Sequence, residues 1–148
     1  MFYKNAPYGR YFASDSNYKI PSRIGWIIME SPTLIGMLIF IGLFRSKIGQ
    51  TEIIFCLLWL SHYIHRTMIW PFRAQLKGKS MAVGVVSMAL FFNSVNISLQ
   101  CIWIFIFGNY SDNWLISIPF IFGIILFFSG MVINIKSCLL YTSPSPRD

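Results

Sequence analysis

Apolar residues fall into four long runs, and polar residues fill the short segments between them. The runs cover residues 24–44, 53–70, 81–107 and 114–135. Because an α-helix rises about 1.5 Å per residue, roughly 20 residues cross a hydrocarbon core of about 30 Å. The pattern therefore predicts four transmembrane helices in an all-α polytopic bundle, joined by connections too short to hold a soluble domain.

The composition agrees with a chain that lies mostly in lipid. Hydrophobic residues make up 55% of the 148 residues and charged residues only 11%, whereas a soluble domain is usually about 25% charged. The net charge of +7 does not indicate nucleic-acid binding, because the basic residues sit between apolar runs. Membrane lipid is the expected surrounding.

The basic residues also predict the orientation of the chain. Eight of them lie at one end of the predicted spans and two at the other. The eight are Lys4, Arg10, Lys19, Arg23, Arg73, Lys77, Lys79 and Lys136, and the two are Arg45 and Lys47. Because cytosolic segments are enriched in Lys and Arg, residues 1–23 and 71–80 are expected in the cytosol.

Two of the predicted spans contain ionisable residues, which are costly in lipid and by default mark a functional site. Glu30 lies about two turns into the first span, close to Pro32, which is expected to kink the helix. Tyr63 and Arg66 lie in the second span, within the polar segment 61–67. Helix rise puts Glu30 and Tyr63 at a similar depth, roughly 10 Å below the cytosolic face, so the two side chains could meet.

Structural roles stay open for several polar residues. Glu30 and Arg66 could form an ion pair that only joins two helices. His62 and His65, each taken alone, are expected near the lipid headgroups. Two histidines three residues apart could suggest a metal ion, but no third ligand of a suitable type accompanies them. No metal site is predicted.

A polar stripe runs along the third span. Asn93, Asn96 and Gln100 recur at helical spacing on one face. Such residues commonly hydrogen-bond neighbouring helices in lipid, so we interpret the stripe as a contact between helices. Asn134, near the cytosolic end of the fourth span, is ambiguous when taken alone.

Three segments, in the right order and spacing, resemble the steroid 5-alpha-reductase family, and the plant brassinosteroid-pathway members look most similar. The segments are residues 6–10 (APYGR) with Trp26 and residues 29–34 (MESPTL), residues 62–67 (HYIHRT), and residues 130–137 (GMVINIKS). The last two resemble the family's HYxHRT and GMxINxxSD motifs and are the specific part of the match.

The resemblance implies a seven-helix reductase of the endoplasmic reticulum membrane that passes a hydride from NADPH to an enone such as a 3-oxo-4-ene steroid. By the same resemblance Glu30 and Tyr63 are catalytic and hydrogen-bond the 3-oxo oxygen. Fixed donors in a dry site would stabilise the negative charge that develops there. Trp26 is expected to line the substrate pocket. The residues expected to contact the dinucleotide are Tyr8, Arg10, Arg66 and Asn134.

The chain departs from the family pattern at three positions. Asn96 is followed by Ile97 where the family usually has glycine, which puts a close helix approach there in doubt. Lys136 stands where histidine or a small polar residue is common. Cys138 stands where the family has an acid, so the match ends at about Ser137.

Both ends of the chain suggest a piece of a longer protein. Seven residues precede Tyr8 where the family has its first helix, so four of an expected seven spans are predicted. Residues 138–148 (CLLYTSPSPRD) match the translation of a transposase-type sequencing adapter and are expected to be non-native read-through after a partial reductase domain of residues 1–137. The chain as it stands is expected to be inactive.

Three functions remain open on this basis. The leading hypothesis is a 5-alpha-reductase, and a polyprenol reductase or a trans-2-enoyl-CoA reductase would share its chemistry on another substrate. The alternative from a different class is a non-catalytic membrane transporter or scaffold. Such a protein would use Glu30 and Arg66 as an ion pair and would need no cofactor.

Overall fold

The computed structural model describes residues 18–111 and 113–142 as helices joined by short turns. The α-helices of these ranges are α1 (Ser22–Leu43), α2 (Gln50–Ile64), α3 (Trp70–Arg73), α4 (Val83–Ile102) and α5 (Ile118–Thr142). Wider π-helical turns follow α2 (His65–Ile69) and α4 (Trp103–Phe107), and 3-10 turns occupy Arg45–Lys47 and Trp114–Ile116. Two three-residue strands complete the elements described, β1 (Lys19–Pro21) and β2 (Ser80–Ala82). The predicted all-α class is confirmed.

Three stretches of the described chain are helical, long and apolar enough to cross a membrane, namely Ser22–Leu43, Val83–Phe107 and Ile118–Cys138. Four spans were predicted, and the run 53–70 is the one that is not among these three. It is helical without a break from Gln50 to Arg73, which is long enough to cross, but its polar segment 61–67 makes it less apolar than the others. The regular helix then gives way to the π-helical turn, because Pro71 lacks an N–H group and its ring clashes with the carbonyl group one turn earlier.

The bounds of the other predicted spans shift by a few residues. The third helix begins at Val83 and not at residue 81, because Ser80–Ala82 pairs as β2. The fourth begins at Ile118, with Pro119 in the first turn, where its missing N–H group costs no hydrogen bond. Helix α5 runs through Thr142, and the origin of residues 138–148 stays a prediction.

The two strands join segments that the charge pattern predicts on one side of the membrane. They pair antiparallel, with Ile20 opposite Met81. At the helix starts, Ser22 donates its backbone N–H to the carbonyl oxygen of Lys79 at 2.9 Å. The pairing holds the beginnings of α1 and α4 side by side, as the predicted orientation requires.

Helix α1 continues through Pro32 because a neighbouring side chain replaces the lost donor. Pro32 cannot donate to the carbonyl oxygen of Ile28, one turn earlier. The hydroxyl group of Ser31 donates to that oxygen at 2.8 Å. The Ser31–Pro32 pair therefore lets the helix cross its apolar surroundings without an unsatisfied carbonyl group at this point.

Close packing of α1 against α4 depends on glycines in α1. A Cβ atom at Gly36 would lie 2.9 Å from Cγ1 of Ile97, and one at Gly25 would lie 3.2 Å from Cγ2 of Val86. Ile97 is 3% exposed and has no room to move away. The missing glycine at position 97 put a close helix contact there in doubt. The contact exists nevertheless, because Gly36 of α1 makes room for Ile97 of α4.

The larger hydrophobic cluster fills the space between α1, α2 and α4. Its buried members are Met37, Cys56, Ile97, Cys101, Ile104 and Phe105. Phe40 of α1 and Phe44, which follows the helix, stack on Phe105, with ring centroids 6.2 and 5.7 Å away. This cluster fixes one half of the bundle and leaves the other half, near the strands, for polar groups.

Adding one methyl group at two glycines of α1 should have opposite effects on stability. Gly36→Ala should lower the free energy of unfolding by about 1–2 kcal/mol, because Ile97 must be displaced. Gly42→Ala should be neutral or slightly stabilising, because nothing lies within 4 Å of its Cβ position and alanine favours helix. Thermal unfolding of the full-length protein in detergent measures both, and equal shifts would contradict the glycine contact.

Candidate active site

The site is centred on the carboxyl group of Glu30, which α1 presents toward the interior two turns from its start. Glu30 is 4% exposed. Arg66, from the π-helical turn, donates its Nε–H to Oε1 of Glu30 at 3.0 Å, and its Nη2 forms an ion pair with the same oxygen. The sequence raised the possibility that Glu30 and Arg66 form an ion pair between helices, and this pair is present.

Arg66 also contacts α5 and the tryptophans at the strand end of the bundle. Its Nη1–H donates to Oδ1 of Asn134 at 3.4 Å. Its guanidinium group lies 5.2 Å from the ring centroid of Trp26, and Trp26 packs on Trp70 at 4.3 Å. Trp26 therefore lies at the site, stabilising the cation through its ring face.

Arg66, which contacts both α1 and α5, stands in a π-helical turn. Such turns are uncommon inside helices and frequently occur at functional sites. Within this segment and the residue after it, three buried polar atoms have no hydrogen-bond partner among the described residues, namely His65 Nε2, Thr67 Oγ1 and Trp70 Nε1. Buried polar groups are usually satisfied, so these atoms lack the partners that burial normally requires.

Asn93 of α4 completes the surroundings of Glu30. Its Nδ2 donates to the carbonyl oxygen of Met29 at 2.6 Å and lies 3.5 Å from Oε2 of Glu30. The sequence interpretation of the stripe as a helix contact is confirmed at this residue. Its place beside the carboxyl group was missed, because helical spacing does not reveal which face of α4 meets Glu30.

Tyr63 lies next to this cluster without bonding to its centre. Its ring packs on Trp59 at 4.6 Å, and Asn96 of α4 is its polar neighbour. Among the described residues, no hydrogen bond joins Tyr63 to Glu30. The two residues lie close enough to interact electrostatically, so a ligand atom could face both.

The remaining sequence-predicted residues are distributed as follows. Arg66 and Asn134 are brought together, whereas Tyr8 and Arg10 lie outside the described residues. His62 contacts Tyr63 and, on α5, Phe127, with ring centroids 5.1 and 6.2 Å away. Residues 18–111 and 113–142 contain no group of three His, Cys, Asp or Glu side chains placed to hold a metal ion.

An apolar cleft begins one helical turn from Tyr63, on the side away from the strands. It has a volume of about 390 Å³ and lies between α2, α4 and α5. Trp59 borders it and donates its indole N–H to the carbonyl oxygen of Thr33 at 3.2 Å. Other lining residues include Phe55, Ile104, Phe120 and Phe127. A polar cluster thus adjoins a cleft suited to a hydrocarbon group.

Comparisons with known proteins point to one family. Residues 79–143 match the family described as 3-oxo-5-alpha-steroid 4-dehydrogenase. The chain is similar to a steroid 5-alpha-reductase of Solanum lycopersicum, with 31% identity over 133 residues, covering 88% of this chain and 52% of that protein.

Two further relatives give the same result. The 3-oxo-5-alpha-steroid 4-dehydrogenase 1 of Bos taurus is 32% identical over 136 residues, 89% of this chain and 52% of its own length. A steroid 5-alpha-reductase of Arabidopsis thaliana is 32% identical over 139 residues, 89% of this chain and 53% of its own length. The chain spans about half the length of the curated relatives it matches.

Removing Arg66 alone should destabilise the protein more than removing both charges. Arg66→Met leaves the buried Glu30 carboxyl group without its cation, and we expect a loss of about 3 kcal/mol. The double variant Glu30→Gln/Arg66→Met should recover most of this loss, because no unpaired charge remains. Thermal unfolding of the full-length protein in detergent measures the difference, with Arg45→Met as the exposed control. Equal losses in the single and double variants would rule out a structural ion pair.

Proposed function

We propose that the whole protein is a reductase of the steroid 5-alpha-reductase family in the endoplasmic reticulum membrane, because the chain is similar to members of that family over about half of their length. Its reaction reduces the C=C bond of a 3-oxo-4-ene steroid or a similar enone lipid. The observation that carries this proposal is the buried Glu30–Arg66–Asn93 cluster beside Tyr63, whose ring packs on Trp59 at the border of the apolar cleft.

The proposed reaction places negative charge on the carbonyl oxygen of the enone. NADPH, when bound, supplies the hydride that adds to the β carbon. Tyr63 and Glu30 face that oxygen in the proposed complex, and Tyr63 donates a hydrogen bond to it. Such donors are effective because they are fixed in a site that excludes water. Glu30 either donates a hydrogen bond in the same way, which requires its carboxyl group to be protonated, or orients the Tyr63 hydroxyl group.

The residues around Arg66 fit a dinucleotide. A guanidinium group suits phosphate and amide oxygens, and the unpartnered Thr67 hydroxyl and Trp70 N–H lie on the same segment. We assign Arg66 and Asn134 to the cofactor, together with Tyr8 and Arg10. This assignment agrees with the predicted orientation, in which the strand end of the bundle faces the cytosol and its NADPH.

The ion pair also supports a second candidate, a non-catalytic membrane transporter or scaffold, since Glu30 and Arg66 could serve stability alone. Expression of the full-length gene in microsomes separates the two. The reductase proposal expects consumption of NADPH with progesterone or a campestenone-like enone. No turnover with any enone and no binding of NADPH would leave the scaffold as the better account. Turnover of a polyprenal-type or enoyl-CoA substrate alone would place the protein with the sibling reductases.

Glu30→Gln and Tyr63→Phe should each lower kcat strongly, by about 100-fold, because each removes a group that stabilises the developing oxyanion. The dissociation constant of NADPH should change by less than about twofold. Kinetics in microsomes and binding of NADPH to the purified full-length protein provide the two measurements. Glu52→Gln is the matched control, since Glu52 lies at the opposite end of the bundle and bonds the backbone N–H of Gly49. Loss of folding in both variants would instead indicate a structural role.

A larger side chain in the cleft should discriminate against bulky substrates. Gly123 lines the cleft, and nothing lies within 4 Å of its Cβ position. Gly123→Leu should raise KM for an enone with a long hydrocarbon side chain by about tenfold, with a smaller effect on a compact enone and none on NADPH affinity. Gly42→Leu is the control, because Gly42 is exposed and lines no part of the cleft. An unchanged KM for both enones would remove the cleft from the proposed binding site.

A further inference from the structure

The two oxygens of the Glu30 carboxyl group have different partners. Oε1 takes both donors of Arg66, the Nε–H and the Nη2. Among the described residues, the polar group that approaches Oε2 is the Nδ2 of Asn93, at 3.5 Å. Arginine and carboxylate groups frequently pair through two parallel hydrogen bonds, one to each oxygen. The arrangement at Glu30 departs from that geometry and leaves Oε2 turned away from the cation.

Little in the side chain itself would keep Oε2 in this position. Rotation about the last bond of a glutamate is soft, and a two-pronged pair with Arg66 would be favourable. Asn93 supplies the opposing contact. Its Nδ2 is held by the carbonyl oxygen of Met29 at 2.6 Å, so the amide is fixed to α1 next to the carboxyl group that it touches.

The direction of Oε2 is toward the face of α4 that meets Tyr63. Asn96 follows Asn93 by three residues on the same helix, close to one turn, and is the polar neighbour of Tyr63. A carboxyl group turned toward Asn93 therefore points to the polar face that Tyr63 also meets. A carboxyl group rotated onto Arg66 would withdraw Oε2 from that face.

We propose that Asn93 is a positioning residue that holds Oε2 of Glu30 toward Tyr63 and prevents the carboxyl group from closing onto Arg66. This inference rests on the proposed reductase function, in which Glu30 and Tyr63 face the enone oxygen. Asn93 touches neither substrate nor cofactor and acts through Glu30. Its removal matters only while Glu30 carries a carboxyl group that can rotate onto the guanidinium group.

A double-mutant cycle in the full-length protein tests the inference. Asn93→Leu keeps the approximate volume and removes the donor, and we expect kcat to fall about tenfold or more because the carboxyl group is misplaced. In the Glu30→Gln background the same change should lower kcat by less than about twofold. The affinity for NADPH should stay within about twofold throughout. Ser98→Ala is the control, since the Ser98 hydroxyl group donates only within α4, to the carbonyl oxygen of Ser94 at 2.8 Å.

A role limited to holding α1 against α4 gives a different result. The loss of kcat from Asn93→Leu would then be the same in both backgrounds, and this equality would overturn the inference. Should Asn93→Leu fold poorly, Asn93→Asp keeps the shape and replaces the donor by an acceptor. Positioning predicts that Asp lowers kcat at least as far as Leu does, whereas packing alone predicts the milder effect for Asp.

Failure of the proposed function is recognised separately. If the wild-type protein reduces no enone, the melting temperatures of the same four proteins are measured in detergent instead of kcat. A smaller loss of Tm from Asn93→Leu in the Glu30→Gln background supports the Asn93 contact with the carboxyl group, although the protein is then no reductase. An equal loss of Tm in both backgrounds overturns the contact itself.

Discussion

A carboxyl group two turns inside an apolar helix must find a partner, because an isolated charge in a medium of low dielectric constant is very costly. For Glu30 that partner is Arg66, which is 36 residues later in the chain. Bringing the two together requires α1 and the second apolar run to lie side by side. It also requires a local widening of the helix where Arg66 stands, and the π-helical turn His65–Ile69 provides it. Trp26, Asn93 and Asn134 lie around this pair and contact one or other of its members.

The pair gives the bundle a polar half and an apolar half. Toward the strands, charged and hydrogen-bonding groups surround Arg66, and two tryptophans shield them. In the other direction, Trp59 marks the boundary, beyond which the cleft and the cluster around Met37 and Phe105 are apolar. A ligand that combines a carbonyl group with a hydrocarbon skeleton matches this division, since each part meets an environment of its own polarity. Enone lipids have that construction.

Much of this could be predicted from the sequence, because lipid forces the backbone to satisfy its own hydrogen bonds and helices do so locally. Hydropathy therefore predicted α1 and α4 within a few residues and placed the end of α5 seven residues too early. Glu30 and Arg66 were conspicuous as charges in apolar runs. The π-helical turn in the second run was missed, although Pro71 was the available signal. Residue type alone could not place Asn93 beside Oε2 of Glu30 or Gly36 against Ile97. Both contacts depend on the rotation of one helix about its axis relative to another, which spacing along one chain leaves undetermined.

Arg66 is the cation of the ion pair with Glu30, and it is also the proposed contact of the cofactor. One guanidinium group must therefore serve two partners. The geometry of the guanidinium group separates them. Nε and Nη2 face Glu30, whereas Nη1 makes the long contact with Asn134, and the Arg66 side chain is 21% exposed. The edge with Nη1 can therefore bind an incoming group while the opposite edge keeps Glu30 neutralised. Because the ion pair uses only the Nε and Nη2 edge of the guanidinium group, its structural role is no argument against a catalytic one.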